Sequence, residues 1–205
     1  GQVSDESRIY QARFHGGDWS GDLRAFRLDE DDLTLSENPV WKASNNIPSP
    51  GSRIMIAGED GTPLRWDQLD AATRNALGEE DVVHWLRGDP DTEQQNGGDW
   101  RNRPHPLGDI VHSGPVHSGA PASGYDRIRW PEGGESGYAD YRKNNSERTP
   151  LILVGANDGF LHAFNAENGT EAFAYAPSPV LDDLGDLAKP QYDHRYYVDG
   201  TPTVA

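Results

Sequence analysis

The sequence predicts a mainly β fold with short helical insertions and long loops. Its 205 residues include 23 Gly and 15 Pro, and only 34% are hydrophobic. This composition favours short strands joined by long connections over a helical architecture. The clearest strands lie between residues 151 and 175, and a similar stretch near the N-terminus indicates that the architecture is repeated.

A first small sheet is expected in the N-terminal part. Residues 9–14 and 23–28 alternate between apolar and polar side chains, and residues 33–35 and 40–41 supply the next extended segments. The acidic residues 29–32 lack the ligand spacing and central glycine of an EF-type calcium loop. We therefore expect a solvated hairpin tip there.

Two short helices are expected after a strand at 53–57. Thr62-Pro63 is interpreted as an N-cap followed by proline at the first helical position, with Gly78 just past the helix end. Acidic residues at 79–81 suit the first turn of a second helix, where the helix dipole favours negative charge. Residues 89–102 are polar and glycine-rich and are predicted to form a surface loop.

A long irregular region follows. Ile110-Val111 and Val116 suit a strand interrupted at Gly114-Pro115, where proline removes a ladder donor. Residues 119–150 read mostly as loop, with a helical turn predicted at 138–142. A loop of this length in a compact domain is expected to be functional or mobile.

The best-defined element is a three-stranded antiparallel meander. Strands predicted at 151–154, 160–164 and 171–175 are joined by Asn-Asp-Gly and Glu-Asn-Gly turns. Gly159 and Gly169 stand where such turns need a positive φ. The turn residues and the alternation of apolar and polar side chains therefore predict the same three strands.

The C-terminal residues are predicted to begin a further unit. Ser178-Pro179 starts a third short helix, which Lys189-Pro190 ends. Residues 196–198 suit a strand, Asp199-Gly200 a turn, and residues 202–204 the opening of another strand.

The repeat aligns residues 19–26 with residues 157–164, which share Gly, Leu, Ala and Phe at the same spacing. This pattern resembles a blade of the quinoprotein-type β-propellers, in which small antiparallel sheets are arranged radially. The residues assigned to the structural blade motif are Gly21, Leu23, Phe26, Gly155, Asp158, Gly159, His162, Phe164, Asp199 and Gly200.

About two blades are recognisable, whereas a propeller closes with four or more. Residues 1–118 are assigned to the first blade-like sheet, with a helical insertion at 62–88. Residues 119–149 form the long loop, and residues 150–205 form the second blade and the start of the next. We expect the chain to continue in a longer parent.

Composition excludes several classes of function. The 34 acidic residues against 18 Lys and Arg give a net charge of −16, which argues against nucleic acid as a partner. The absence of cysteine excludes disulfides, thiolate metal sites and cysteine nucleophiles. No apolar run is long enough to span a membrane. The first residue is Gly1 rather than Met, so we expect a processed or trimmed start without a signal peptide.

The candidate chemical residues favour structural roles. His112 and His117 lie five residues apart, which fits neither a helical zinc-protease pair nor strand ligands two residues apart. His162 is predicted to join Asp158 and Asp199 in a buried hydrogen-bonded set that holds the blade together. No catalytic or metal-binding residue is assigned.

Four stretches together resemble the C-terminal propeller domain of the PilY/PilC family of type IV pilus proteins. They are residues 17–26, residues 85–89, Arg103 with residues 107–113, and residues 154–164 followed by 197–200. The resemblance implies a non-enzymatic pilus biogenesis or tip protein at the cell surface or outside the cell, reached through the periplasm. It also implies roles in adhesion and twitching motility.

The same resemblance implies the partners and the cofactor. The partners are minor pilins or other pilus components, a host or abiotic surface, and the remainder of the protein's own propeller. The family's calcium site is expected beyond residue 205, so no cofactor is assigned within this chain.

Two other functions remain open. A pyrroloquinoline quinone-dependent dehydrogenase-like propeller enzyme shares the blade pattern, and the long loops also suit a non-catalytic propeller scaffold in outer-membrane assembly. Phe173 and Tyr175 stand where dehydrogenase blades usually place a docking Trp, and a vicinal Cys pair is missing. These features and the helical insertions favour the pilus protein.

Overall fold

The computed structural model describes residues 7–29, 31–121, 124–125 and 134–204. Within these residues the fold is mainly β, with nine strands in two separate, unclosed sheets. The strands are β1 (Arg8–His15), β2 (Ser20–Arg27), β3 (Trp41–Lys42), β4 (Met55–Ala57), β5 (Thr62–Pro63), β6 (Val116–Ser118), β7 (Leu151–Gly155), β8 (Leu161–Asn165) and β9 (Glu171–Ala176). The predicted fold class is confirmed.

The first sheet contains three antiparallel strands in the order β1-β2-β3. Its long hairpin keeps one register from the Arg8–Arg27 pair to the His15–Ser20 pair. The extended segment predicted at 33–35 contributes only an isolated bridge between Leu28 and Leu35. The reason is local, because Leu33 has a φ of 58°, which interrupts an extended backbone.

The second sheet contains six strands in the order β5-β4-β9-β8-β7-β6. Its centre is the predicted meander β7-β8-β9, and Gly159 and Gly169 have φ of 94° and 74°, as their turns require. Strand β4 adds to β9 in parallel, and β6 adds to β7 in the antiparallel sense. The meander prediction is therefore confirmed.

Helices cover part of the second sheet. The α-helices are α1 (Ala71–Leu77), α2 (Glu80–Leu86) and α3 (Gly134–Asn144), which includes the helical turn predicted at 138–142. The 3₁₀ segments are Ala43–Asn45, Trp66–Gln68, Pro90–Thr92, Gln94–Asn96 and Ser178–Ala188, the last being the predicted third helix.

The helix start predicted at Thr62-Pro63 is wrong. These residues form β5, because Gly61 has a φ of 62° and reverses the chain into a hairpin with β4. The actual N-cap of α1 is Asp70, whose carboxylate accepts a 2.7 Å hydrogen bond from the amide of Thr73. The predicted end at Gly78 and the second helix are confirmed.

Three predicted extended segments form no strand in the described structure. Residues 110–111, 196–198 and 202–204 belong to no sheet strand, although Val116 does begin β6. Their backbone groups bond to side chains instead. The amide of His112 donates to Asp199, and the amide of Tyr197 donates to Asn157, each at 3.0 Å.

The polar segment 89–102 is also more structured than a surface loop. It contains two 3₁₀ turns, and Glu93 is buried against Arg103, with its Oε1 accepting from the guanidinium at 3.1 Å. The Arg103 guanidinium also lies over the Trp85 ring, 3.6 Å from its centroid. This cation–π contact anchors the segment to α2.

Two apolar cores hold the layers together. The first lies between the two sheets, with Leu23, Ala25 and Trp41 on one side and Ile152, Val154 and Phe164 on the other. The second lies between the β4 and β9 region and the helices α1, α2 and 178–188. Both cores use the same face of the second sheet. Cross-strand partners share a face, as do alternate residues of one strand, so Ile152, its partner Phe164, His162 and its partner Ala174 all lie on one side. Ile152 and Phe164 belong to the first core, and Ala174 belongs to the second.

The division into residues 1–118, 119–149 and 150–205 stays a prediction as a division into domains. The strand pairing does not follow it, because β4, β5 and β6 join the second sheet. None of the helices in the described part of the chain is long and apolar enough to cross a membrane.

Candidate functional site

A buried ionic cluster lies where the two sheets and the helical layer meet. We call Arg53, Asp158, His162 and Glu171 the buried quartet. All four are buried, Asp158 being the most exposed at 8%, and His162 is completely inaccessible to solvent. Buried charges are costly unless they are paired, so this cluster is the strongest polar feature of the fold.

His162 occupies the centre of the quartet. It is the second residue of β8 and lies on the face that packs against the core, and the Phe164 ring stacks on it with centroids 5.7 Å apart. Its Nδ1 is 2.9 Å from Glu171 Oε1, and its Nε2 is 3.0 Å from Asp158 Oδ2. Both ring nitrogens therefore contact a carboxylate.

Arg53 extends the cluster to the helical layer. Its guanidinium donates twice to Glu171, at 2.7 and 2.8 Å, in a bidentate pair. Its third nitrogen donates to the carbonyl of Arg87 at 3.0 Å, at the end of α2. The quartet thus ties the C-terminal end of α2 to β9 and β8.

Asp158 extends the cluster toward the first sheet. It follows β7 in the turn before β8, and its carboxylate accepts hydrogen bonds from the amides of Gly108 at 2.8 Å and Phe160 at 3.2 Å. A Cβ on Gly108 would lie 2.6 Å from the Asp158 nitrogen, so only glycine fits there. The same segment pairs with the first sheet, since the Gly21 amide donates to the Leu107 carbonyl at 3.1 Å.

The electrostatics keep the quartet ionised and neutral overall. Burial alone would lower the pKa of His162, but Asp158 and Glu171 outweigh it and raise that pKa to about 9. For Glu171, burial is outweighed by hydrogen bonds from His162 and Arg53, which lower its pKa to about 2. The pKa of Asp158 is also lowered, against burial, by the charge of His162. Two cations balance two carboxylates.

A second buried set lies beside the quartet. Asp109 Oδ2 accepts from Asn157 Nδ2 and contacts His194 Nε2, each at 2.8 Å. The His194 ring stacks on Trp19, with centroids 4.0 Å apart. Trp19 has a φ of 55°, an uncommon conformation for a non-glycine residue, at the end of the β1–β2 turn. These contacts fasten His194, and with it the segment that follows residue 188, to both sheets.

The predicted set of His162, Asp158 and Asp199 is only partly assembled. His162 and Asp158 are in contact, whereas Asp199 bonds to the backbone and ring of His112 on the surface. The sequence reasoning missed Arg53 and Glu171. Their signal was a charged residue at or just before the start of an otherwise apolar strand, since Glu171 opens β9 and Arg53 lies two residues before β4.

The other predicted motif residues have packing or turn roles. Leu23 and Phe164 are fully buried between the sheets, and Phe26 is half-buried. Gly21 and Gly155 each lie against a carbonyl, at 2.1 Å and 2.3 Å from where a Cβ would stand. Gly200 is exposed, with no atom within 4 Å of the Cβ position.

The arrangement offers stability rather than an open reaction site. A cavity of about 10 Å³ lies next to the quartet, with Asp158, His105 and Gly108 in its lining. This volume holds about one water molecule. In the residues that the structure describes, no group of three or more His, Asp or Glu side chains is placed to hold a metal ion.

Comparisons with known proteins show what the chain is similar to. Residues 107–205 match the family model described as the PilY1 beta-propeller domain. Over 202 residues the chain is 36% identical to a type IV pilus biogenesis factor PilY1 homolog of Xylella fastidiosa strain Temecula1. Over 223 residues it is 30% identical to the type IV pilus biogenesis factor PilY1 of Pseudomonas aeruginosa strain UCBPP-PA14.

Both alignments include 96% of this chain, but only 16% and 18% of the two relatives. The chain therefore spans less than a fifth of the length of these relatives. No solved structure gives a significant match.

Proposed function

Because the chain belongs to the family of type IV pilus biogenesis factors that includes PilY1, we propose that it forms part of the propeller of a non-enzymatic pilus biogenesis protein. The observation that carries this proposal is the 36% identity, over 202 residues, to a relative named type IV pilus biogenesis factor PilY1 homolog. The alignment includes both sheets and the quartet, so the shared part is the folded unit and not one motif.

In this proposal the fold acts as a rigid support for a binding surface. The quartet and the two apolar cores fix the sheets against each other, whereas residues 137–149 contribute no side chain to either core. Binding residues are commonly placed on loops that a rigid scaffold positions. The partners we propose are minor pilins or other pilus components, with a host or abiotic surface as a further contact.

The proposal also concerns location and cofactor. A pilus biogenesis role places the protein in the periplasm or at the cell surface, where it would serve adhesion and twitching motility. We propose that any calcium acts outside residues 1–205. The structural blade motif, from Gly21 to Gly200, is proposed to maintain the propeller and not to contact a ligand.

The geometry favours this role over catalysis. His162 has the residue type of a general base, but both of its nitrogens face carboxylates and it has no access to solvent. The adjoining cavity of about 10 Å³ is far smaller than the hundreds of Å³ of ordinary cofactor sites. The cavity beside the quartet therefore does not favour a quinone-dependent reaction at this site.

Complementation in Pseudomonas aeruginosa tests the proposed function. A strain that lacks the native gene receives a chimeric PilY1, in which this chain replaces the segment that aligns with it. The amount of surface pilin is then measured after shearing. We expect the chimera to restore surface pili. A matched chimera with His84→Gln, a change at the surface, should behave in the same way.

Two results would contradict the proposed function or part of it. A chimera that is secreted and protease-resistant at the level of native PilY1, yet leaves the surface without pili, contradicts the proposed function. Dye reduction by the purified chain with pyrroloquinoline quinone, calcium and an alcohol or glucose would contradict its non-enzymatic part.

A further inference from the structure

Two Asn-Gly pairs lie outside the buried quartet, at Asn96-Gly97 and Asn168-Gly169. Such a pair can deamidate without an enzyme, because glycine has no Cβ to obstruct the rearrangement of the backbone. The glycine nitrogen bonds to Cγ of the asparagine and loses its proton, the Cγ–Nδ2 bond breaks, and Nδ2 leaves with that proton as ammonia. Water then opens the succinimide ring to give aspartate or isoaspartate. Both pairs have the residue types for this modification.

The fold protects Asn168-Gly169, which forms the turn between β8 and β9. The Gly169 amide donates to the Asn165 carbonyl at 2.8 Å, and Asn168 Oδ1 accepts from the Thr170 amide at 2.9 Å. A Cβ on Gly169 would lie 2.5 Å from the ring of Trp41, so the turn is packed against a buried side chain. The Gly169 nitrogen reaches Cγ only after the turn has left this ring, which makes the opening costly.

Asn96-Gly97 lies at the end of a 3₁₀ turn on the surface. Two hydrogen bonds hold the reacting atoms. The Gly97 amide donates to the Gln94 carbonyl at 3.1 Å, and Asn96 Nδ2 donates to the Pro90 carbonyl at 2.8 Å. All four residues are exposed, and in the described part of the chain no atom lies within 4 Å of a Cβ built on Gly97. Breaking these two bonds therefore uncovers no core residue and costs little.

We propose that Asn96-Gly97 is a site of spontaneous deamidation, and that the fold directs the reaction to this pair and away from Asn168-Gly169. The reaction requires only water besides the chain itself. It is independent of the pilus role, because it depends on a local turn and not on a partner. The product adds a negative charge to segment 89–102, which already contains four acidic residues, Asp89, Asp91, Glu93 and Asp99.

Deamidation of Asn96 is expected to loosen the contact between this segment and α2. The amides of Asn96 and Gly98 both donate to the Glu93 carbonyl, at 2.9 and 3.0 Å. Isoaspartate places an additional methylene group in the backbone between these two amides, so both bonds cannot keep their present length. Glu93 is buried and holds Arg103, whose guanidinium lies over a ring of α2. A change in the turn therefore reaches the cation–π anchor.

Peptide mapping of the folded chain tests the proposal. The chain is kept at pH 8 and 37 °C, and trypsin then releases residues 88–101, which contain Asn96, and residues 149–195, which contain Asn168. Mass spectrometry measures the deamidated fraction of each peptide, and fragment ions locate the changed residue. Asn96 should deamidate at least about tenfold faster than Asn168, which corresponds to a barrier about 1.4 kcal/mol lower. A rate at Asn96 equal to or below that at Asn168 overturns the proposal.

The unfolded chain separates the effect of the fold from that of the neighbouring residues. In concentrated urea both pairs lose the hydrogen bonds and packing described above. The two rates should therefore converge, mainly because the rate at Asn168 rises. A difference of the same size in urea would assign the selectivity to local sequence and contradict the role of the fold.

A variant tests the consequence for the segment. The amides of Gln94 and Trp100 donate to the carbonyls of Trp100 and Thr92, at 2.9 and 3.0 Å. In the aged chain these amides should exchange at least about threefold faster than in the fresh chain. Asn96→Gln keeps an amide side chain but would have to close a larger ring, which forms more slowly, so its aged form should match the fresh chain.

Two results would contradict this consequence. One is unchanged exchange at Gln94 and Trp100 in a chain that is deamidated at Asn96. The other is equally accelerated exchange in aged Asn96→Gln. Neither the mapping nor the exchange requires pilus assembly, so failure of the chimera in bacteria and failure of this inference are distinguishable.

Discussion

At the scale of single residues, the central feature is a fully buried histidine whose pKa is raised to about 9 by its two carboxylate neighbours. His162 donates from both ring nitrogens to carboxylates, and the bidentate pair of Glu171 with Arg53 completes a neutral set. Removing one member of such a set leaves an unbalanced buried charge, which costs more than the set itself contributes. The quartet is thus a sensitive point of the fold.

Substituting His162 tests this sensitivity. His162→Gln leaves two buried carboxylates against one guanidinium, so we expect the free energy of unfolding to fall by about 3–5 kcal/mol. Urea denaturation at pH 6 measures it. The control His84→Gln changes a side chain that is 48% exposed and lies 3.7 Å from Glu80, and it should cost less than about 1 kcal/mol. Equal losses in both variants would contradict a special role for His162.

The quartet also predicts how stability depends on pH. The pKa of His162 is raised from 6.5 to about 9. Its contribution is therefore complete below pH 6.5 and is lost as the pH rises through about 9. The pKa of Glu171 is lowered from 4.5 to about 2, so its contribution is present above pH 4.5 and is lost on acidification toward 2.

Chemical denaturation between pH 3 and pH 10 checks this profile. The wild-type chain should be most stable between about pH 4.5 and 6.5 as far as the quartet is concerned. His162→Gln should lack the decline between pH 6.5 and 9. A decline of the same size in the variant would assign that pH dependence to other groups.

At the scale of elements, local sequence predicted the parts that local chemistry determines. The meander, its two glycine turns and α2 were predictable because alternation, turn residues and first-turn charges act within a few residues. The start of α1 was not, since the hairpin with β4 engaged Thr62-Pro63 and the helix begins instead after Asp70. The strand predicted at 196–198 needs a neighbouring strand, which no local pattern reveals.

The turn between β7 and β8 provides a test at this scale. Gly159 has a φ of 94°, and a Cβ there would lie 2.2 Å from the buried Leu184 side chain. Gly159→Ala should therefore lower the free energy of unfolding by about 1–3 kcal/mol. Gly137 lies inside α3 with no atom within 4 Å of its Cβ position. Gly137→Ala should instead stabilise the chain by about 0.5–1 kcal/mol.

Thermal denaturation of the two alanine variants measures these effects. Opposite shifts of the midpoint are the expected outcome. A Gly159→Ala variant that melts with the wild type would show that the turn tolerates another backbone conformation.

At the scale of the whole molecule, repetition in the sequence indicated the architecture but not how the sheets meet. The match of Leu23 and Ala25 with Leu161 and Ala163 predicted two related sheets. It did not predict that segment 107–109 crosses between them, because this contact depends on Gly108 lying against Asp158, 50 residues away. The quartet was likewise half predictable, since Arg53 and Glu171 meet over 118 residues of sequence.

The account as a whole claims that the two sheets are adjoining blades that share one core and are joined through one charge network. Native-state hydrogen exchange of the isolated chain measures this directly, at the slowest amides of β2 and β8. We predict that both sets open with the same free energy and lose the same amount in His162→Gln. If β2 opens more than about 1 kcal/mol more easily than β8 and does not respond to His162→Gln, the sheets are independent and the account is contradicted.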